Sequence, residues 1–394
     1  MIKKLQIRKF ETNLPFENVN KKEGIKNMKI ICDRDKLNEA IQIVSRAVAT
    51  KSNLASIEGI LLIAENNTLT LTGYDFEMGI KTTFECEVER EGDVVLSAQL
   101  LGNIVRKVNN QNIYIECDEN MNCVIKSGIT KYNIKGIDSS DYPDFPSAGK
   151  DNSIKIENSL FSEMCDYVIY AVSTDEKRPA HTGVLVKLED SQLTMVALDG
   201  YRLAVCERQV DFEGNFSMII PAKAMNEVRK IVGEKDGKLT IFASRRYVMF
   251  QAGDFIVLSR LLEGDFLDYR KAIPANFSTD VVLNTKQLSD AVDRVSLIIT
   301  ERLRNPVKLT VYENTLSVKC ATELGDVYDE ISVGQVGPDI EIGFNNRYIL
   351  DALKASKKDE LIFKFSGPLA PCKIIPKEGD DFIYLVLPVR FKND

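Results

Sequence analysis

The chain repeats itself at an interval of 124 residues, and this repeat constrains its fold more than any other feature. Residues 59–75 (GILLIAENNTLTLTGYD) align without gaps with residues 183–199 (GVLVKLEDSQLTMVALD). A third, more diverged copy follows, in which residues 307–318 match residues 184–195 at an interval of 123. Solenoid repeats are only about 20–50 residues long, so each copy here is the size of a whole domain. Three such copies account for residues 28–394.

Each copy has the same predicted order of secondary structure. Apolar residues at spacings of three and four predict a helix over residues 36–48, and equivalent stripes begin at Phe161 and Leu288. Alternating residues over 80–89 predict a strand with one polar face. Two-residue hairpin turns are expected at 66–67 and 190–191. A second helix should begin near three residues whose types suit a helix start: Ser97, Pro221 and Asn345. We therefore expect an α+β fold of three repeated domains, each with two helices packed on antiparallel sheets.

The repeat divides the chain into a leader and three domains. The domains are expected at residues 28–149, 150–275 and 276–394. Residues 1–27 carry seven basic and three acidic side chains, a net charge of +4, so the remainder stands at −11. This leader could be a basic arm that touches nucleic acid or membrane. We favour the alternative, a disordered leader ahead of a start at Met28.

Basic side chains recur at matched positions, although the whole chain has a net charge of −7. That net charge argues against a simple cationic nucleic-acid binder. Arg106, Lys230 and Lys354 nevertheless occupy equivalent positions on the predicted second helices. Lys107, Lys223 and Arg229 lie nearby in the sequence, and Lys51 and Arg178 come from the region after the first helix. The matched positions predict a basic face that follows a phosphate backbone without reading its sequence. Ordinary solvation of exposed helices is an alternative that stays open.

The chain lacks the motifs of common enzymes. It has no phosphate-binding G-x-x-x-x-G-K-[ST], no G-x-G-x-x-G and no G-x-S-x-G. His181 is the only histidine, so a catalytic triad has no supporting motif and a metal site with several histidines cannot be built. Asp138, Asp141 and Asp144 could hold Mg²⁺, but similar spacing returns in the next copy, which favours a structural turn. We predict a binding protein that is not an enzyme and needs no cofactor or metal.

The cysteines and the hydropathy pattern both bear on the compartment. The eight cysteines are Cys32, Cys86, Cys117, Cys123, Cys165, Cys206, Cys320 and Cys372. None forms a C-x-x-C pair and most have apolar neighbours, so buried free thiols are expected instead of disulfides or zinc ligands. No apolar run approaches the roughly 18 residues that span a bilayer, and the N-terminus lacks the apolar core of a signal peptide. We expect a cytoplasmic protein.

Three stretches make the sequence more specific: ALDGYRLAV at 197–205, EGDFLDYRKAIP at 263–274 and YLVLPVRF at 384–391. Through them, residues 28–394 resemble the bacterial β sliding clamps, the processivity subunits of DNA polymerase III. The resemblance implies a DNA clamp fold and a head-to-tail homodimeric ring that encircles duplex DNA, without sequence preference, and slides. It also implies that the ring tethers the DNA polymerase III α subunit, the clamp-loader complex, other polymerases and repair proteins. A clamp-like paralogue that acts as a protein-only adaptor is the main alternative.

The resemblance also implies two sites. A pocket between the second and third domains would take short peptides rich in Gln, Leu and Phe. Its residues would be His181, Leu198, Gly200, Tyr201, Arg202, Leu203, Leu267, Lys271, Ala272, Leu385, Val386, Leu387, Pro388, Val389 and Arg390. His181, Leu267 and Lys271 depart from the usual family residues, which leaves the peptide preference open. The dimer interface would include Leu297 and Ile298, for which plain core packing is the alternative.

Overall fold

A computed structural model describes residues 27–146, 153–212, 214–233, 236–300 and 305–390. All but the last residue of the predicted leader lies outside the described residues. Within them the chain forms six α-helices: α1 (Arg34–Val44), α2 (Ala98–Lys107), α3 (Asn158–Val168), α4 (Ala222–Val232), α5 (Thr285–Val295) and α6 (Asn346–Ser356).

The strands also fall into three sets, one for each copy of the repeat. The first copy contains β1 (Lys29–Asp33), β2 (Gly59–Glu65), β3 (Thr68–Tyr74), β4 (Met78–Glu85), β5 (Glu87–Arg90), β6 (Gly92–Ser97), β7 (Asn112–Cys117), β8 (Asn122–Ser127) and β9 (Thr130–Lys135). The second contains β10 (Ser153–Glu157), β11 (Gly183–Glu189), β12 (Gln192–Leu198), β13 (Arg202–Gln209), β14 (Phe216–Pro221), β15 (Lys238–Ala243), β16 (Tyr247–Ala252) and β17 (Phe255–Arg260). The third contains β18 (Thr279–Asn284), β19 (Val307–Tyr312), β20 (Thr315–Thr322), β21 (Gly325–Ser332), β22 (Gly334–Val336), β23 (Ile340–Phe344), β24 (Glu360–Phe365), β25 (Cys372–Pro376) and β26 (Ile383–Val386).

The chain forms two compact units. Of the described residues, those in 27–158 and 227–261 belong to unit 1, and those in 159–226 and 262–390 belong to unit 2. Unit 1 holds a five-stranded sheet in the order β5-β1-β7-β8-β9 and an eight-stranded sheet in the order β10-β15-β16-β17-β4-β3-β2-β6. Unit 2 holds a nine-stranded sheet in the order β14-β11-β12-β13-β26-β25-β24-β18-β22 and a four-stranded sheet in the order β21-β20-β19-β23. Two of the sheets therefore contain strands from two copies of the repeat.

The second helix of each copy begins where the sequence predicts. The Ser97 side chain accepts a hydrogen bond from the Leu100 backbone N–H, and Asn345 accepts one from the Arg347 N–H. Pro221 directly precedes α4. Such caps satisfy backbone donors that a helix start leaves open, and each contributes about 1 kcal/mol.

The copies also share one hairpin turn. Asn66 and Asn67 have φ angles of 49° and 56°, and Asp190 and Ser191 have φ angles of 50° and 64°. Positive φ at both central residues gives a turn whose twist matches that of the two strands. These two predicted turns are confirmed, and 313–314 forms the same turn in the third copy.

Two predictions from the sequence are wrong. The continuous strand over 80–89 is broken at Cys86, whose N–H bonds to the Asn67 carbonyl, and β5 then joins the five-stranded sheet instead. The second error concerns the thiols, because Cys117 and Cys123 form a disulfide. They pair directly across the β7–β8 hairpin, with Cα atoms 4.1 Å apart. The other six cysteines are free.

Candidate functional site

One face of the nine-stranded sheet in unit 2 carries an apolar cluster. Its buried members are Ala180, Leu185, Val196, Leu198, Leu203, Val205, Ile219, Tyr269 and Leu385. Leu203 on β13 pairs with Leu385 on β26, so the second and third copies of the repeat meet within this cluster. Partly buried apolar residues border it: Leu262, Phe266, Ile273 and Ile383.

The border of this cluster includes large apolar side chains that remain open to solvent. Tyr201 is 60% exposed, Leu267 53%, Val389 38% and Leu387 37%. The Leu387 N–H donates to the Tyr201 carbonyl at 2.8 Å, and the Val389 N–H donates to the Gly343 carbonyl at 2.8 Å. These backbone bonds fix the C-terminal segment in an extended form with its apolar side chains outward. We call this partly exposed apolar surface beside the cluster the groove of unit 2; apolar surfaces of this kind typically receive a short peptide or another ligand.

Arg202 lies beside the groove but, like its strand partner Val386, on the face of the sheet opposite to Leu203 and Leu385. Its side chain is only 12% exposed and its Nε lies 3.0 Å from Asp199 Oδ2. A second ion pair joins it to Asp351. The guanidinium carbon lies 5.3 Å from the centroid of the Tyr170 ring and 4.8 Å from that of Tyr348. Arg202 is thus held by the protein itself and shapes the groove instead of offering its charge to a ligand.

His181 borders the cluster through Phe266, whose ring it meets edge-on with centroids 5.9 Å apart. Its carbonyl accepts a hydrogen bond from the Ser173 N–H at 2.8 Å. Burial lowers the pKa of His181 below its ordinary value of 6.5, and the positive charge of Arg178 lowers the pKa further. The imidazole is therefore mostly neutral near pH 7, which suits an apolar border.

A cavity of about 550 Å³ lies on the third copy of the repeat in unit 2. Its lining residues are Ile299, Thr300, Asn305, Pro306, Asn345, Asn346, Arg347, Tyr348 and Val389. Val389 and Tyr348 also belong to the neighbourhood of the groove, since Tyr348 stacks on Tyr201 with ring centroids 5.9 Å apart. Asn346 Nδ2 donates to Ser296 Oγ at 2.9 Å and so has a defined orientation. The cavity thus places the side-chain amides of Asn305, Asn345 and Asn346 next to the apolar groove.

The structure brings together most of the predicted pocket residues, but not all in the same role. Leu198, Leu203 and Leu385 form the buried floor. Val386 is fully buried and, one position along the strand from Leu385, faces away from the cluster. Four further predicted residues are exposed: Gly200, Lys271, Ala272 and Arg390. Pro388 is half-buried. Lys271 forms an ion pair with Asp268 at 2.9 Å.

Sequence analysis missed Tyr170, Tyr348 and the cavity amides. Tyr170 is half-buried and lies outside the three specific stretches, so nothing in the sequence marks it. Tyr348 could have been found, because it lies in the first turn of α6, whose start at Asn345 the repeat predicts.

Models of known protein families match all three copies of the repeat. The models of the DNA polymerase III beta subunit match in chain order, with the N-terminal domain at residues 28–146, the central domain at 155–268 and the C-terminal domain at 270–390. The chain belongs to the DNA polymerase III β-subunit family.

Individual members of the β-subunit family support this over nearly their full length. The beta sliding clamp of Bacillus subtilis (strain 168) is 31% identical over 376 residues, which cover 92% of this chain and 100% of that protein. The beta sliding clamp of Staphylococcus epidermidis (strain ATCC 12228) is 31% identical and covers 92% and 99%. The solved structure of the Bacillus subtilis DNA polymerase sliding clamp matches with a TM-score of 0.90 at 30% identity, covering 93% and 100%.

A second solved relative carries a ligand. It is the Bartonella birtlesii sliding clamp bound to griselimycin, with a TM-score of 0.88, 29% identity and coverage of 93% and 100%. The predicted α+β fold and the resemblance to β sliding clamps are confirmed. The exact domain boundaries remain a prediction.

The predicted DNA-facing residues lie mainly at helix ends. Arg106 and Lys107 are in the last turn of α2, Arg229 and Lys230 in the last turn of α4, and Lys354 in the last turn of α6. All predicted members except the half-buried Arg229 are exposed: Lys51, Arg106, Lys107, Arg178, Lys223, Lys230 and Lys354.

Within unit 1, the carboxylate of Glu227 lies among these basic residues. It contacts Arg46 at 3.1 Å and Lys230 at 2.8 Å.

The predicted dimer residues lie on the short turn Ser296–Ile298 that follows α5. Leu297 is 83% exposed and Ile298 is half-buried. Core packing, the alternative explanation for these two residues, is therefore wrong for Leu297.

The predicted aspartate cluster forms a structural turn. Asp138 caps the short turn Ser139–Asp141, and its Oδ1 accepts a hydrogen bond from the Ser140 N–H at 2.9 Å. Among the described residues, no group of three or more His, Cys, Asp or Glu side chains is arranged to hold a metal ion. In the same part of the chain, none of the helices has the length and apolar character to cross a membrane.

Proposed function

We propose that two copies of this chain close head-to-tail into a ring around duplex DNA and slide along it without sequence preference. The ring would tether partners through the groove in unit 2: the DNA polymerase III α subunit, the clamp-loader complex, other polymerases and repair proteins. It would act in the cytoplasm without catalysis of its own. Besides family membership, the observation that carries this proposal is the opposite charge of two exposed sheet edges.

Within the described residues, β9 and β21 are edge strands that each pair on one side only. Strand β9 carries Lys131 and Lys135, whereas β21 carries Asp326, Asp329 and Glu330. Such edges offer a row of open N–H and C=O groups to another chain. Pairing β9 of one copy with β21 of the next joins opposite charges, while pairing like edges would bring equal charges together. Unlike edges give a head-to-tail contact, and two such contacts close a ring.

Leu297 supplies an apolar element to the same interface. It lies on the turn after α5, which packs against β20 and β21. Full burial of a leucine side chain contributes about 2 kcal/mol. Burying Leu297 and Ile298 against a second copy would therefore stabilise the proposed contact between β9 and β21.

A charge exchange tests this ring. One variant carries Asp326→Lys with Glu330→Lys, and the other carries Lys131→Glu with Lys135→Glu. Each variant alone should be monomeric in sedimentation velocity, because both of its contacts would join equal charges. An equimolar mixture should dimerise again, since opposite charges then meet at both contacts. Dimers of either variant alone, at the wild-type concentration dependence, would contradict the proposed pairing.

The basic helix ends supply the surface for DNA. Arg106, Lys230 and Lys354 lie at equivalent positions in the last turns of three helices and are exposed. Lysine and arginine bind phosphates through charge, so the contact needs no base sequence. Changing all three to glutamate should abolish retention on DNA. A protein-only adaptor, the competing function, would instead keep full activity with this variant.

The groove in unit 2 provides the partner site. We expect it to bind a fluorescent Gln-Leu-x-Leu-Phe peptide with a Kd on the order of micromolar, or about −8 kcal/mol. Leu387→Asp should abolish binding, because it places a charge at the apolar mouth. Leu369→Asp is a matched control, since Leu369 is 65% exposed elsewhere in unit 2. Equal binding by both variants would place the peptide somewhere else.

A further inference from the structure

The groove in unit 2 has a counterpart in unit 1 with the same strand pairing. Leu203 on β13 faces Leu385 on β26, and Gly79 on β4 faces Leu258 on β17. Gly79 and Leu203 are 124 positions apart, so they are equivalent residues of the repeat. Unit 1 also has an apolar cluster at this place, with Leu61, Tyr74, Val95, Tyr142 and Leu258 as its buried members. The repeat has thus produced the groove architecture twice.

The rims of the two copies have the same backbone but different side chains. In unit 2 the Leu387 N–H donates to the Tyr201 carbonyl at 2.8 Å, and in unit 1 the Arg260 N–H donates to the Glu77 carbonyl at 2.8 Å. Tyr201 and Leu387 leave an apolar rim open to solvent. Glu77 and Arg260 instead form an ion pair at 3.5 Å across the equivalent place. A peptide bound at the unit 1 copy would remove water from the charges of Glu77 and Arg260 without replacing it by a polar contact, which is unfavourable.

The interior of the unit 1 copy is filled by the chain itself. The ring of Phe145 lies against Gly79, and a Cβ atom there would come within 2.4 Å of Phe145 Cε2. The Phe145 ring also packs on Tyr74, with centroids 5.7 Å apart. In unit 2 the position of Gly79 is taken by Leu203, so Tyr269, the counterpart of Phe145, cannot lie over a glycine in this way.

We propose that unit 1 contains a closed copy of the partner groove. Phe145 covers Gly79 at the position where the unit 2 copy has Leu203, and the Glu77–Arg260 pair replaces the apolar rim. This inference rests on the proposed function of the unit 2 groove. It adds the reason why unit 1, although it is built on the same strand pairing, offers no second peptide site.

Tryptophan reporters test the inference without disturbing either cluster. The chain has no tryptophan, so Tyr201→Trp and Phe76→Trp each introduce a single fluorophore. Tyr201 borders the open groove, and Phe76 borders the closed copy, 47% exposed with its ring centroid 5.6 Å from that of Tyr74. Adding unlabelled Gln-Leu-x-Leu-Phe peptide should change the emission of Tyr201→Trp saturably and leave Phe76→Trp unchanged. A saturable response of Phe76→Trp at the same concentrations would overturn the closed copy.

A second experiment opens the closed copy. The combined variant Phe145→Ala, Glu77→Tyr and Arg260→Leu should raise the stoichiometry from one peptide per chain to two in calorimetry. Phe255→Ala is the matched control, because it truncates a half-buried phenylalanine of unit 1 that lies outside the cluster. One peptide per chain from the combined variant, with circular dichroism and melting like the control, would overturn the proposal.

The reverse exchange keeps the test decisive if the combined variant does not fold. Tyr201→Glu with Leu387→Arg places the closed rim on the open groove, and we expect at least about tenfold weaker peptide binding, or 1.4 kcal/mol. Wild-type affinity of this variant would contradict the role of the rim. If the wild-type protein binds no peptide, the unit 2 groove itself is rejected and the closed copy with it. Two sites in the wild type would reject the closed copy alone.

Discussion

The guanidinium carbon of Arg202 lies 4.8 Å from the centroid of the Tyr348 ring. Arg202 belongs to the second copy of the repeat and Tyr348 to the third, so this contact holds the two copies together beside the groove. The Tyr348 ring stacks in turn on Tyr201 at the mouth. The position of the exposed Tyr201 ring therefore depends on a buried charge.

Replacing Arg202 should weaken unit 2 as well as peptide binding. Arg202→Met removes the partner of Asp199, whose side chain is only 13% exposed, and of the more open Asp351. Leaving a buried carboxylate without its cation is costly, and we expect a loss of about 2 kcal/mol in the free energy of unfolding. Urea unfolding measures it, with Arg390→Met at an exposed arginine as control. Equal stability of the two variants would show that the ion pairs contribute little.

Peptide affinity should fall with decreasing pH because of His181. Its pKa in the folded protein is lowered below the ordinary value of 6.5, so the unfolded chain takes up this proton first and the folded state loses stability as pH falls through 6.5. A peptide that covers the ring disfavours the charged form further, so binding weakens as pH falls through the lowered pKa of His181 in the folded protein. His181→Leu should remove this part of the pH dependence. An unchanged pH profile of Kd in His181→Leu would contradict the placement of the peptide beside His181.

Glu227 should limit the affinity of the basic surface for DNA. Its carboxylate, 11% exposed, contacts both Arg46 and Lys230. Glu227→Gln would release these two cations toward phosphates, so we expect several-fold tighter binding of a labelled duplex at low salt and a salt slope steeper by about one unit. Fluorescence anisotropy at several salt concentrations measures both. Glu87→Gln, at an exposed residue of β5, controls for net charge, and an equal gain from it would argue against a local effect.

The Cys117–Cys123 disulfide can be tested by counting free thiols. Thiol titration of the denatured, unreduced protein should find six free cysteines, and reduction should raise the number to eight. Closing a loop this short stabilises the folded state by about 2 kcal/mol, so Cys117→Ser with Cys123→Ser should lower the free energy of unfolding by a similar amount. Eight free thiols before reduction would contradict the Cys117–Cys123 bond.

The repeat made much of the fold predictable. Equivalent residues such as Ser97 and Asn345 start equivalent helices because a cap is a local device, and its chemistry is visible in the sequence. The strand break at Cys86 was not predictable in this way. Alternation continues through Cys86 into β5, and only the pairing partner changes. Strand pairing is a tertiary property that local periodicity does not encode.

The site was predictable where it follows the specific stretches, and less so where it depends on packing. Leu198, Leu203 and Leu385 lie in the cluster as the resemblance implies. Val386 was assigned to the pocket with its neighbours, but strand alternation turns it to the opposite face. Phe145 and Gly79 form one contact across 66 positions of sequence. Only the folded structure shows that the Phe145 ring lies where a side chain at position 79 would be.

Retention on DNA of different topology tests the central claim most directly. The protein would be loaded onto a nicked circular plasmid by its clamp loader with ATP, purified by gel filtration, and the plasmid then cut once. A ring that holds DNA by encircling it should stay on the circle and leave through the ends after the cut. Equal retention on circular and linear DNA would contradict the clamp, because the protein would then be held by affinity for the surface of the duplex.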